Sequence, residues 1–143
     1  MRQNFAKTYL RSIRSEQREI RVLTEMRENV YLSLLPPAIR YDKDKVQVSP
    51  EDMVSERMAR VCELDKEIDK RLAILDLHRA EAFRKIQEIE NDNGRTVLLL
   101  YYLQTKKDGK SYKWSDVAKD MSYSEENVKK IHGRALQELN KIM

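Results

Sequence analysis

The sequence is poor in cysteine, glycine, proline and tryptophan: 143 residues contain one Cys, three Gly, three Pro and one Trp. A lone Cys62 excludes an intramolecular disulfide framework and fits a reducing compartment. Three unclustered glycines cannot build a phosphate-cradling loop. His78 and His132 stand apart, and neither lies at metal-ligand spacing from Cys62, so no metal and no cofactor are expected. The longest clearly apolar run, Val97–Leu103, is too short to span a bilayer. Met1–Leu10 is polar and basic where a secretory signal requires an apolar stretch. A soluble, cytoplasmic protein without a membrane segment is expected. No nucleophile stands beside a base, and the carboxylates are interleaved with Lys and Arg as on a solvated helix face, so an enzyme is not expected.

What is present is charge and helix-forming residues. Charged residues make up 36% of the chain and apolar ones 41%, and so few helix breakers predict long helices. The net charge is +4, and its distribution is uneven: residues 1–94 hold 18 Lys/Arg and 18 Asp/Glu, whereas residues 95–143 hold 10 and 6. A basic part joined to a neutral one suggests a polyanionic partner for the basic part.

The periodicity predicts an all-α fold in two parts. From Gln3 to Leu35 a heptad places Ala6, Ile13, Ile20 and Leu34 in one seam, with Arg27 in the remaining position. Tyr9, Leu23 and Val30 occupy the second seam, where Glu16 intrudes. Pro36-Pro37 stops this helix. Ala38–Val48 reads as a polar connection with an extended stretch at Val46–Val48. Ser49, Pro50, Glu51 and Asp52 then form a helix start, with Val48 and Met53 at staple spacing. Val54, Val61, Ile68, Leu75, Ala82 and Ile89 recur every seventh residue, flanked by Met58, Leu64, Leu72 and Ile86. This helix is predicted to run to Glu90, about 60 Å, and to end at Asn91-Asp92-Asn93-Gly94. Residues 1–90 are thus expected to form a long, coiled-coil-like antiparallel hairpin, closed within one chain or exchanged in a homodimer. Cys62, beside Val61 and Leu64, is expected as a packed thiol.

Residues 91–143 change character. The apolar Thr96–Leu103 is followed by a Lys-rich turn at Asp108-Gly109. Trp114–Met121 makes two helical turns, with Trp114 expected to pack at the start. Ser122-Tyr123 leads into Ser124–Ile142, whose apolar face is Val128, Ile131, Ala135, Leu136 and Leu139. A short helix, a tight turn and a longer helix form the helix-turn-helix pattern, whose second helix enters the DNA major groove by its N-terminal part.

Ser124 is the expected N-cap of that helix, with Glu125 and Glu126 in its first turn. The predicted outward face is Glu125, Glu126, Asn127, Lys129, Lys130, His132 and Arg134. Asn127 suits adenine, Lys130 guanine, and a glutamate can accept from cytosine N4. Lys129, Arg134 and Lys113 are better suited to phosphates. The plainer alternative is a solvated helix face. On the first helix Lys7, Arg11, Arg14, Arg18 and Arg21 form one stripe, either a phosphate-contacting edge, a dock for an acidic partner, or the water-facing side of the hairpin.

Arg95–Leu139, with TVLLLYYL and WSDVAKDM-SYSEENVKKIHGRALQEL, resembles region 4 of sigma-70-type transcription factors. The whole layout is similar to a family of prophage-encoded transcriptional regulators that join a long helical N-terminal part to such a region. The resemblance implies double-stranded DNA as partner, contact with RNA polymerase, and base reading by Glu125, Glu126, Asn127 and Lys130. Three departures stand out: Glu125 and Asn127 replace the arginines common in housekeeping sigma factors, the loop before Trp114 is longer and carries Lys106, Lys107 and Lys110, and Ser122 stands where the turn commonly has Gly. The rival expectation is a helical adaptor, of the anti-sigma or polymerase-binding kind, without DNA readout of its own.

Overall fold

The computed structural model describes residues 4–35 and 50–143. The elements are α1 (Phe5–Leu32), α2 (Pro50–Gln87), α3 (Asp92–Leu98) running on into a π-helical turn (Leu99–Leu103), α4 (Trp114–Met121) and α5 (Glu125–Ile142). The fold is all-α, with α1 and α2 packed antiparallel and smaller helices following, as the periodicity predicts. Pro36-Pro37, the Ala38–Val48 connection and the Ser49 cap lie outside the described residues. No helix among the described residues is long and apolar enough to cross a membrane.

The chain groups into two units, Ile20–Leu72, and Met1–Glu19 with Ala73–Met143. The stretch after residue 91, expected as a domain by itself, therefore shares its unit with the start of α1 and the second part of α2.

In the unit Ile20–Leu72, Ile20 and Val61 are buried, and Arg27, the polar flaw of the first seam, is ion-paired with Asp65. Arg57 Nη1 donates to the Ser33 carbonyl at 2.9 Å. Val54 and Met58, expected in or beside the seam, are exposed. Cys62 is also exposed, against the expectation of a packed thiol. One residue step turns a helical side chain by 100°, which carries Cys62 off the face on which Val61 is buried.

In the other unit α1 has two working faces. Ala6, Leu10, Ile13 and Gln17 are buried, whereas Tyr9 and Glu16, the expected second seam, are only half-buried. α1 has partners on two sides, so its buried row is set by both. The Tyr9–Glu16 edge meets α2: His78 Nδ1 donates to both Glu16 carboxylate oxygens at 2.8 and 2.9 Å, and the Lys85 ammonium lies 4.7 Å from the Tyr9 ring centre. The Leu10–Gln17 edge meets the C-terminal helices, where Gln17 Nε2 donates to the carbonyls of Tyr102 (3.0 Å) and Leu103 (3.2 Å). At the start of α1, Asn140 Oδ1 of α5 accepts from the Ala6 amide at 2.8 Å, satisfying one of the helix's orphan donors.

α2 ends at Gln87, earlier than the sequence suggests, and Asn91–Gly94 is not its terminus. Asn91 instead caps α3, its side chain accepting from the Asn93 and Gly94 amides at 2.9 and 3.2 Å. Asn is among the strongest N-capping residues, and that preference outweighs its use as a helix stop. Gly94 lies within α3, where a Cβ would sit 3.1 Å from the Ala135 Cβ, so glycine permits the close approach of α3 to α5.

α4 closes with Ser122 in the left-handed conformation, φ 59° and ψ 39°. The Tyr123 amide reaches back to the Ala118 carbonyl at 3.0 Å, which is the six-residue bond of a Schellman closure. A serine there carries a Cβ penalty that glycine does not. Ser122→Gly is expected to raise stability by up to about 1 kcal/mol, read as a higher Tm in a thermal melt. A lower Tm would show that the Ser122 side chain contributes more than its backbone conformation costs.

Candidate nucleic-acid interface

The core under α4 and α5 is built from Val97, Val117, Ala118 and Val128, with Leu100, Tyr112, Met121 and Ile131 packed against it. This core fixes the angle at which α5 leaves the turn Ser122-Tyr123-Ser124. Ser124 caps α5 as expected: its backbone is extended and its Oγ accepts from the Asn127 amide at 3.1 Å. At the opposite end of α4, Asp116 Oδ2 accepts from the Lys113 amide at 2.9 Å. That hydrogen bond, and then the nearby Lys106, holds the Asp116 carboxyl below its usual range. Lys106 is consequently spent on an ion pair with Asp116 at 3.3 Å, while Lys107 and Lys110 of the same loop stay exposed. The loop turns at Gly109, φ 82°, with the Gly109 amide bonded to the Lys106 carbonyl, as the Asp108-Gly109 dipeptide predicts.

Of the residues expected to meet DNA, Lys113, Ser124, Glu125, Glu126, Asn127, Lys129, Lys130 and Arg134 are exposed. Lys130 lies 3.8 Å from Glu126, an exposed pair that holds neither side chain firmly. His132 is the exception. It is 8% exposed, and its expected place on the outward face is corrected. Its position four residues after Val128 and three before Ala135 puts it on the inner side of α5. His132 Nε2 lies 2.7 Å from Tyr102 Oη, in a cluster where Trp114 stacks on Tyr101 (centroids 3.8 Å apart, 8° between planes) and meets His132 edge-on at 4.6 Å. Trp114 therefore packs, as expected of its position.

Burial, with a smaller contribution from Lys7, holds His132 down at about 4 from its ordinary 6.5. Burial likewise pushes the Tyr102 phenol up to about 12. At neutral pH the phenol therefore donates and the neutral imidazole accepts. No pairing signal in the sequence marks this bond, because the partners lie thirty residues apart.

A second feature comes from α1. Lys7, Arg11, Arg14 and Arg18 line a cleft of about 470 Å³, whose far side carries Lys129 of α5 together with Tyr101 and Trp114. Arg14 Nη1 donates to Tyr101 Oη at 2.7 Å and Nη2 to the Tyr112 carbonyl at 2.6 Å, with the guanidinium 3.9 Å from the Tyr101 ring centre. Both acceptors are neutral, so the charge of Arg14 is positioned but not neutralised. Arg21, the last member of the sequence stripe, differs in having Glu25 at 3.7 Å. No group of three or more His, Cys, Asp or Glu that could hold a metal ion occurs among the described residues.

The depressed titration of His132 has a consequence for stability. Its folded value lies below its unfolded one, so the neutral ring stabilises the fold fully above about pH 6.5, and that contribution is lost as pH falls through about 4. The loss accumulated between about pH 6.5 and 4 is of the order of 3 kcal/mol, the cost of charging the buried ring. Denaturant titrations between pH 7 and 4 should show wild-type stability falling more steeply than that of His132→Leu. Parallel curves for the two proteins would exclude a buried neutral imidazole.

Comparison of the chain with family models, with curated proteins and with solved structures returned no match.

Proposed function

We propose that this chain is a sequence-specific double-stranded DNA-binding transcriptional regulator of the phage or prophage type, with α4 and α5 as a sigma region 4-like helix-turn-helix. The observation that carries the reading is the start of α5. It follows a Schellman-closed turn, is capped by Ser124, and presents Glu125, Glu126, Asn127, Lys129, Lys130 and Arg134 to solvent while Val128, Ala135, Leu136 and Leu139 are buried. A helix anchored on one face and polar on the other, preceded by a short supporting helix, is what insertion into a major groove requires. On this reading Asn127, Lys130 and a glutamate read base edges, and Lys129, Arg134 and Lys113 hold phosphates. RNA polymerase is the proposed protein partner, and no catalytic chemistry is assigned.

Self-association through α1 and α2 belongs to the same proposal. In the unit Ile20–Leu72, Val22, Met26, Leu32, Leu35, Val54 and Met58 are each between 45% and 51% exposed. That many half-exposed large apolar side chains on one hairpin segment favours burial against a second copy. A dimer would read paired half-sites about one helical turn apart, or a multiple of that.

The second reading is a helical adaptor that binds RNA polymerase or a sigma factor without reading DNA. Exposed Glu125 and Glu126 at the groove-facing end favour it, because carboxylates repel phosphates. Selection from a pool of random duplex DNA separates the two. A motif should be enriched, and Lys130→Ala should relax one position of it, at about 1–3 kcal/mol of lost discrimination. Absence of enrichment, together with co-purification of polymerase, would replace the regulator by the adaptor.

A further inference from the structure

We propose that the cleft between the first part of α1 and α5 is a binding site for the sugar-phosphate backbone of duplex DNA, so that α1 grips the strand flanking the groove that α5 enters. This rests on the reading of α5 as the groove helix and extends the binding surface to a helix outside the helix-turn-helix.

Four observations carry it. Lys7, Arg11, Arg14 and Arg18 recur at intervals of four, three and four, which aligns them on one stripe and on one wall of the cleft. From Lys7 to Arg18 the stripe is about 16 Å long at the helical rise, comparable with about five successive phosphates of one strand along the duplex axis. Among the described residues none of these four cations is ion-paired, and every position on α1 three or four residues from them lacks a carboxylate. A merely solvated face looks different in this chain: Arg71 with Glu67 and Lys85 with Glu81 are joined four residues apart on α2. Lastly, Lys129 of α5 lines the same cleft, so the phosphate-holding side of the groove helix and the α1 stripe share one basic surface.

The fixed guanidinium of Arg14 adds preorganisation. Tyr101 Oη and the Tyr112 carbonyl hold it in place without cancelling its charge, so a phosphate oxygen meets a cation already oriented. Arg11 and Arg18 are exposed and free to adapt to the strand.

The experiment is a salt titration of binding to a duplex carrying the selected motif, with the full chain and the variant Arg11→Gln/Arg18→Gln. Each phosphate that the protein no longer neutralises should lower the slope of log affinity against log salt by about 0.9. The double variant is expected to show about twice that decrease, with the selected motif unchanged. Arg60→Gln/Lys70→Gln removes the same charge from exposed positions of α2 and is expected to leave the slope as it was. If the α1 double variant fails to fold by circular dichroism, Arg18→Gln alone should lower the slope by one such step. A wild-type slope in the α1 variant, or an equal drop in the α2 control, overturns the proposal. So does displacement of the duplex by poly-glutamate that depends on Arg11 and Arg18, since the cleft would then serve an acidic protein. Failure of the selection to enrich any motif bears on the groove reading instead. The same titration on random-sequence duplex then decides the cleft independently.

Discussion

The two carbonyls at the end of the π-helical turn, those of Tyr102 and Leu103, decide how α1 is held against the C-terminal helices. A helix terminus leaves carbonyls without intrahelical donors, and here they face the interior. Gln17 Nε2 supplies both with a hydrogen bond. Without it, the buried Tyr102 carbonyl would lose this donor, at a cost of about 1–3 kcal/mol, although Gln17 Oε1 is itself buried without a hydrogen-bond partner. A polar residue in the middle of the buried row Ala6, Leu10, Ile13 and Ile20 is thus a specific fastening, because only one register of α1 brings its amide to those two oxygens. The neighbouring Arg14 repeats the device one turn earlier on Tyr101 and the Tyr112 carbonyl. Asn140 does so at the helix start.

That fastening propagates to α5. Tyr102 lies in the π-helical turn that Gln17 secures, its phenol bonds His132, and His132 lies on the inner side of α5 between Val128 and Ala135. The chain of interactions runs from α1 through the turn to the helix proposed to read DNA. Its inward side chains are buried, while its outward ones are exposed, with Lys130 near Glu126. Trp114 and Tyr101 complete the support by stacking face to face beside His132. The outward side chains of α5 are positioned by this aromatic and hydrogen-bonded cluster as well as by the small aliphatic core of Val97, Val117, Ala118 and Val128.

The helices themselves are legible in the sequence because their signals are local. Heptads mark α1 and α2, Trp114–Met121 matches α4 to the residue, and Ser124 is recognisable as a cap from residue type and spacing alone. The left-handed Ser122 is suggested only through the resemblance, which puts a glycine at that place in the turn. What escapes is non-local. The buried row of α1 runs through Leu10 and Gln17 because the helix has a second partner far along the chain, and a heptad register assumes one partner only. His132 reads as outward because a histidine between Ile131 and Gly133 carries no periodic apolar signature, although its spacing from Val128 and Ala135 points inward. Asn91 misleads because the same residue types end one helix and begin the next. Cys62 misleads through its apolar neighbours in sequence, when its angular position around α2 is the relevant quantity. Of the candidate site, the exposed face of α5 is legible as a face, and its proposed binding to DNA rests on pattern and geometry together.

Charge placement separates the two kinds of polar residue on α1. Glu16 and Arg27 break the heptad seam, and each meets an opposite or hydrogen-bonding group on α2, His78 and Asp65. They are therefore answered within the fold and explain themselves as specificity of helix pairing. Lys7, Arg11, Arg14 and Arg18 meet no opposite charge among the described residues, and Arg14 alone is held, by the neutral acceptors Tyr101 Oη and the Tyr112 carbonyl. Like charges four residues apart on a helix destabilise it by about 0.2–0.5 kcal/mol per pair, and here Lys7 with Arg11 and Arg14 with Arg18 stand at that spacing. Nor does a carboxylate three or four residues away on α1 offset them. A glutamate in place of Ser15 or Thr8 would relieve the repulsion at no cost to packing, since both side chains are exposed. Uncompensated repulsion along a helix whose seam-breaking charges are both matched is the pattern on which the proposed phosphate contact rests. Lys129 of α5 lines the same cleft, which joins that stripe to the helix proposed to enter the groove.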